Sequence, residues 1–502
     1  MRKSIFKACN LTEGCIWKTI LTFALPVFLS YLLQNMYGIA DAVICGQTLS
    51  SYEVAGVNDT GSISFLILQF AFGCTAGMST LLAANAGKND GDGVRKAFAT
   101  QIKLSLAICV VLTAAGLLSL DLLLKTIGIE KSAENTNNLL YTAAHSYMTV
   151  VIAGSFAQYF YNLICSTLRS LGDSLSPLIF LAVSSALNIG LDLLFISAFG
   201  MGVTGAALAT VIAQAVSAAG CFAYSLVRYP QLRVKLCDFR LDFKADLKYL
   251  AQGVPLGLQF SILAFGLIAL ANGVVSFDKT PDGVIVEGAP AQNGFAAANK
   301  VFNLLAMAPN ALGTAFISFV SQNDGAGKPE RIKKGYVQTV IIMLIIFVIS
   351  AGLGFLLGIN GAYQYVFLSR DKISQASVNY GAIFLLSHLP TMFLLGFLVI
   401  SRNTVQGLKK PLFPFLAGVL ELVSRILICI FVPALVNGAP LDCNASPYAF
   451  FALCTADAGA WLAADLILVP AVICFVFGKK RKPELTDLTE NKGESEQPAA
   501  NR

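Results

Sequence analysis

Long apolar runs separated by short polar segments recur along the whole chain, and this alternation is its strongest signal. A hydrocarbon core roughly 30 Å thick needs about 20 residues of helix at ~1.5 Å per residue, and each run reaches that length. In lipid the backbone must satisfy its own hydrogen bonds, which a helix does and a short open strand does not, so the runs predict helices. Spans are predicted over residues 16–39, 54–83, 97–119, 139–167, 175–198, 203–227, 248–275, 293–322, 335–358, 376–401, 412–436 and 448–477. The first run is span-length and lacks a small-residue cleavage site, so it reads as a membrane helix and not as a removable signal. The predicted fold is an all-α polytopic membrane protein of twelve transmembrane helices.

Composition agrees: the chain is 56% hydrophobic and 13% charged, with a mean hydropathy of +0.69. Placing the N-terminus in the cytoplasm puts 28 of the 35 Lys and Arg on cytoplasmic segments. Five (Lys125, Lys131, Lys279, Arg370 and Lys372) fall on external loops, and Lys300 and Arg425 lie within spans. A positive-inside bias of this size predicts both termini cytoplasmic, in a plasma (inner) membrane. The twelve cysteines sit mostly in or beside apolar runs, without CxxC pairs, and read as small buried hydrophobes.

Two halves echo each other around the basic loop Arg228 to Lys248. "FALPVFLS" at Pro26 pairs with "QGVPLGLQ" at Pro255, "AANAGKNDGDGVRKAF" near Gly87 with "SQNDGAGKPERIKKGY" near Gly327, and "TLRSLGDSLSP" near Gly172 with "NTVQGLKKPLFP" near Gly407. Order and spacing are kept, and six spans per half return the chain to the same side. The repeats are therefore parallel, related by a pseudo-two-fold axis along the membrane normal, as in transporters that rock one half against the other. The predicted domains are an N-terminal six-helix lobe (1–228), an inter-lobe cytoplasmic loop (229–247), a C-terminal six-helix lobe (248–478) and a disordered, charge-rich cytoplasmic tail (479–502). A longer external loop is expected around "SFDKTPDGVIVEGAPAQ".

Read with "AGKND", "RSLGDSLSP", "NIGLD", "GVTGAALATVIAQ", "QGLKKPLFP" and the Pro26–Asp41 pair, the chain from about Ile16 to Phe477 resembles the multidrug and toxic compound extrusion (MATE) transporters. The resemblance implies two lobes forming a V, alternating access, and export of mainly cationic or amphiphilic small molecules against inward flow of Na+ or H+. The residues by themselves reach only a parallel-repeat transporter.

An ionised carboxylate at mid-bilayer costs at least about 2.5 to 3.5 kcal/mol, so acids inside spans are functional candidates. Asn188 and Asp192 are i and i+4 and share a helix face. With Asp41 near the end of the first span and Thr210 midway along the sixth, they make an all-oxygen set suited to Na+ or to a proton shared between two acids. The resemblance assigns the same four positions to the cation site of the N-terminal lobe. The plainer reading is an interhelical hydrogen-bond cluster.

Candidates for the substrate cavity are Gln34, Asn35, Gln259, Lys300, His388 and Asp457. Some sodium-coupled members of the resembled family carry acids in the seventh and tenth spans; none is present here, so a C-lobe cation site of that kind is not expected. Glu421 and Arg425, i and i+4 in the eleventh span, are expected to form a structural ion pair. His388 reads either as a proton-responsive group or as a packing histidine beside Pro390, and Asp457 and Asp465 as substrate contacts or packing. In "GDSLSP", Asp173 or Ser176 is expected to cap the fifth span, with Pro177 in its first turn.

No GxxxxGK[ST] motif is present, so ATP is not expected to drive transport, and no cofactor beyond the coupling ion is implied. With only His145 and His388 and no HExxH pattern, a membrane enzyme is disfavoured. The expected function is a secondary active multidrug efflux antiporter, with one alternative on the same architecture: a flippase or exporter of a lipid-linked or other endogenous metabolite. Expected partners are small organic cations or amphiphiles and membrane lipid, with no nucleic acid, acting on a monomer.

Overall fold

The structure is a computed structural model that describes residues 8–131, 135–358, 361–368 and 373–478; the expected tail at 479–502 lies outside the described residues. Among the described residues, eleven helical segments are long and apolar enough to cross a membrane. A bent pair, Asn138–Ala153 and Ser155–Ser170, meeting at 43°, completes twelve. The others are Ile16–Thr48, Ser51–Gly87, Gly91–Leu118, Leu175–Ala198, Gly202–Arg228, Phe243–Ser276, Pro290–Gly325, Pro329–Gly358, Gln375–Gly407, Leu412–Asn437 and Pro447–Phe477. Each matches a predicted span, and several outrun it by a turn or more, because helices continue past the apolar stretch into polar caps.

Those caps follow from the sequence. Asp90, Asp242, Ser374 and Ser446 each accept a backbone N–H three residues on, satisfying an amide that the first helical turn leaves free. At "GDSLSP" the capping residue is Asp173, which takes the Ser176 N–H at 3.0 Å, the Ser176 hydroxyl at 2.6 Å and the Tyr229 hydroxyl at 2.9 Å. Asp278 reaches across the expected external insertion to accept from the amides of Ala291 and Gln292, starting the eighth span.

The halves pack with the symmetry the repeat predicts. The first span lies along the eighth and the second along the seventh, the same contact after exchange of halves. Approach is close because glycines remove side chains where backbones meet. A Cβ on Gly87 would stand 1.9 Å from the Gln322 carbonyl oxygen, and one on Gly325 would stand 1.9 Å from that of Ala84. These are the repeated "AGKND" and "QNDGAGK" signatures, now facing each other. Gln322 Nε2 donates to the Ser170 carbonyl at 2.7 Å, Ser321 Oγ to that of Gly407 at 3.2 Å, and Lys409 pairs with Asp324 at 2.9 Å.

A short N-terminal strap crosses this closed end. Cys9 N–H bonds the Gly172 carbonyl of one half, while Asn323, Lys328 and Arg331 of the other donate to the carbonyls of Leu11, Thr12, Glu13 and Gly14. Leu11 is fully buried there with Phe316 and Phe319. Higher up, the halves still touch at Ser261–Leu66, Tyr31–Thr314 and Asn35–Met307. A cavity of about 480 Å³ opens between them.

Candidate functional site

The first candidate site lies wholly in the first half. Tyr37, Asp41 and Cys45 follow one another every four residues on one face of the first span. Opposite them, Asn188 and Asp192 stack on the fifth span, 2% and 0% exposed. Thr210 approaches from the sixth span. With the Asn188 amide turned so that its donors and acceptors match, its nitrogen donates to Asp192 Oδ2 at 2.9 Å. Its oxygen then accepts from Thr210 N–H at 3.2 Å and Oγ1 at 3.3 Å. Tyr37 hydroxyl lies 3.4 Å from Thr210 Oγ1.

The Asp41 and Asp192 side chains stand close enough to influence each other's charge, so the four predicted residues form one cluster. Two carboxylates so close together away from water require a proton or a cation between them. Asp192 Oδ1 is buried without a protein partner, an open valence of the kind such a bridging ion would fill. Directly after Asp192 the helix widens into a π-turn, Leu193–Ala198, a local irregularity that recurs at functional sites. Tyr37 and Tyr147 also face the cluster and were not anticipated. Tyr37 stands one turn before Asp41, a spacing that offered a signal; Tyr147 comes from the fourth span and offered none.

The second half holds a larger polar cluster of a different kind. The expected Glu421–Arg425 pair is present at 3.2 Å, but it is one link in a chain across three helices. Arg402 Nη2 donates to the other Glu421 oxygen at 2.7 Å, Arg425 Nε donates to Asp457 at 2.7 Å, and His388 Nε2 meets Asp457 at 3.0 Å. The imidazole stacks on Phe384 with 3.8 Å between ring centroids and packs edge-on to Phe302. Gln259 accepts from Arg402 Nε at 2.6 Å once its amide is matched to its neighbours. Asp465 is buried near Arg402, with Oδ1 unbonded.

Gln259, His388 and Asp457 are not among the residues lining the space between the halves; they hold two arginines inside the second half, because buried guanidinium groups need acceptors all round. Lys300 is exposed on the eighth span and is not part of the lining either. Gln34 and Asn35 do line the cavity, with Gln69, Gln158, Asn162 and Phe260 among the rest. Its charged residues are Arg169, Arg402 and Glu421. Both arginines read as cytoplasmic loop charges from sequence, yet each lies inside a helix and turns toward the cavity. Among the described residues no group of three or more His, Cys, Asp and Glu is arranged to hold a metal ion.

The MatE family pattern matches residues 26–194 and 286–431. The chain is similar to the probable multidrug resistance protein YpnP of Bacillus subtilis (strain 168), 28% identical over 65% of this chain and 69% of that one. It is also similar to an FAD transporter of Shewanella oneidensis, 23% identical over 67% and 71% of the two chains. In fold it superposes on an outward-facing multidrug resistance MATE family transporter of the MOP superfamily. The TM-score there is 0.80 at 22% identity, covering 95% of this chain and 99% of that one.

Proposed function

The chain belongs to the MatE family, whose members are transporters, and from that premise we propose that it is an ion-coupled exporter of small organic molecules working by alternating access. The lobes, residues 1–228 and 248–478, rock about the contacts between the first and eighth and the second and seventh spans. The strapped, glycine-packed end is the cytoplasmic one, so the conformation described here opens outward. The protein acts as a monomer in the plasma membrane and catalyses no covalent chemistry.

The observation that carries coupling is the approach of Asp41 to Asp192, whose buried Oδ1 has no hydrogen-bond partner. Asn188 and Thr210 fix the two carboxylates by orienting the amide between them. H+ or Na+ entering from outside bridges the acids. The first span carries Asp41 on one turn and the cavity residues Gln34 and Asn35 two turns earlier, so a shift that closes Asp41 onto Asp192 also moves the cavity wall. Cargo affinity and ion binding are linked through that helix, each favouring a different state. Relatives named for multidrug resistance, and one named an FAD transporter, support a small organic cargo.

The test is efflux from proteoliposomes, run at fixed pH with and without a Na+ gradient, then at fixed Na+ with a pH step. One gradient should drive efflux and the other should not. Efflux insensitive to both, or unchanged by Asp41→Asn, overturns the reading.

A further inference from the structure

The walls of the cavity are neutral and its fixed charge is positive. Glu421 is the sole acid in the lining among the described residues, and both of its oxygens are engaged, one by Arg402 and the other by Arg425. Arg169 is half-buried in the last turn of its helix and has no carboxylate within ion-pair distance among the described residues. Its neighbour Ser170 takes the Gln322 bond that seals the closed end, and Gly407, five residues past Arg402, takes the Ser321 bond. The two guanidinium groups thus stand near the cavity floor, one from each half.

We propose that this cavity takes cargo bearing an anionic group, a carboxylate or a phosphate, with Arg169 as its direct charge partner and Arg402 as a positioning residue held by Glu421 and Gln259. The proposal rests on the reading of this cavity as the cargo site. A guanidinium presents a planar fork of donors that matches carboxylate and phosphate oxygens. The amides of Gln69, Gln158 and Asn162 supply neutral hydrogen bonds to a polar body, and Phe72 and Phe260 supply ring faces for a planar one. With Arg402 held by Glu421, a cationic cargo would meet the like charge of Arg169 and no free carboxylate to answer it. The cargo expected from the family resemblance alone was mainly cationic; the charge of this lining favours the opposite sign.

A plainer role for Arg169 is to complement the negative end of its helix. That role would change stability and leave ligand charge preference alone, so the test reads preference. Purified full-length protein in phosphatidylcholine nanodiscs is titrated by fluorescence anisotropy with carboxyfluorescein and rhodamine 123, a xanthene anion and a xanthene cation. Carboxyfluorescein should bind about tenfold more tightly, Arg169→Gln should weaken it about tenfold, and Arg169→Lys should stay within about threefold of wild type. Tighter or equal binding of the cation, no binding of the anion, or an anion affinity untouched by Arg169→Gln overturns the proposal. Repeating the titration with phosphatidylglycerol in the disc separates the sources of the anion. Competition shows that a lipid phosphate reaches the same arginine, and unchanged binding shows a soluble ligand; either result requires the arginine. Ion-driven efflux is measured separately. Its loss alongside intact Arg169-dependent binding removes the exporter reading and leaves the anion site standing.

Discussion

Asp41 and Asp192 bring two carboxylates close together on spans that pack side by side, so a full negative charge on both calls for a compensating proton or cation. Asp192→Asn keeps the shape and removes the acid, so it should reduce ion-driven efflux to background while leaving the protein folded, as judged by its elution in size-exclusion chromatography. Thr210→Val removes only the hydroxyl at the Asn188 oxygen and should lower efflux several-fold without abolishing it. In the second half the buried charges bear on stability. Removing one partner from a buried ion pair costs about 3–5 kcal/mol, because the other charge is left without a partner. Glu421→Gln removes the carboxylate that Arg402 and Arg425 share and leaves Arg402 without an ion-pair partner among the described residues, so it should lower the thermal unfolding midpoint well below that of His388→Ala, which removes neither arginine's carboxylate. Asn188 and Asp192 were legible from sequence because four-residue spacing alone puts them on one face. The links from Arg402 to Glu421 and from His388 to Asp457 were not, because they join residues on different spans and depend on how those spans pack.

At the scale of elements, apolar run lengths located every span but misjudged their ends, and the arginines that line the cavity lay at those ends. Arg169 and Arg402 read as loop residues because hydropathy stops where a polar cavity begins, although the helix continues. The fourth span breaks at Gly154, where a Cβ would stand 2.2 Å from Val211 of the sixth; the bend is a packing consequence that no local pattern announces. The N-terminal strap is a further element of this kind. Arg331 makes three of its bonds, so Arg331→Ala should loosen the closed end without touching either acid cluster. Faster hydrogen exchange of residues 9–14 is the expected sign. A second tie joins the loop after the sixth span to the third: Asp238 accepts from the Lys235 N–H at 2.8 Å and from Arg95 at 2.9 Å. The Lys235 amide, then Arg95, hold this carboxyl below its ordinary value. A lowered folded value means that the tie is fully present above the unfolded carboxylate range near pH 4 and weakens only as pH falls through the folded value. Exchange protection of residues 233–242 should therefore be flat from pH 8 to pH 5 and decline below about pH 4.

For the whole molecule, the repeated motifs explain why one chain closes at one end and opens at the other. "AGKND" and "QNDGAGK" are legible as a repeat in sequence, but their mutual contact is a property of two lobes brought face to face by a pseudo-two-fold axis. Closure there depends on the missing side chains. A Cβ at Gly87 or Gly325 would overlap a carbonyl oxygen of the opposite half, and backbone cannot yield as a flexible side chain does. The open conformation of this end makes no such demand, so a bulky residue penalises the closed state alone and shifts the equilibrium by that difference. Gly87→Val should therefore favour the state open at the strapped end. Spin labels on exposed Lys96 and Glu330, one from each half, should report a longer mean distance than in wild type, with efflux falling in proportion. An unchanged distance distribution would show that the glycine contact does not control closure and that the lobes pivot elsewhere.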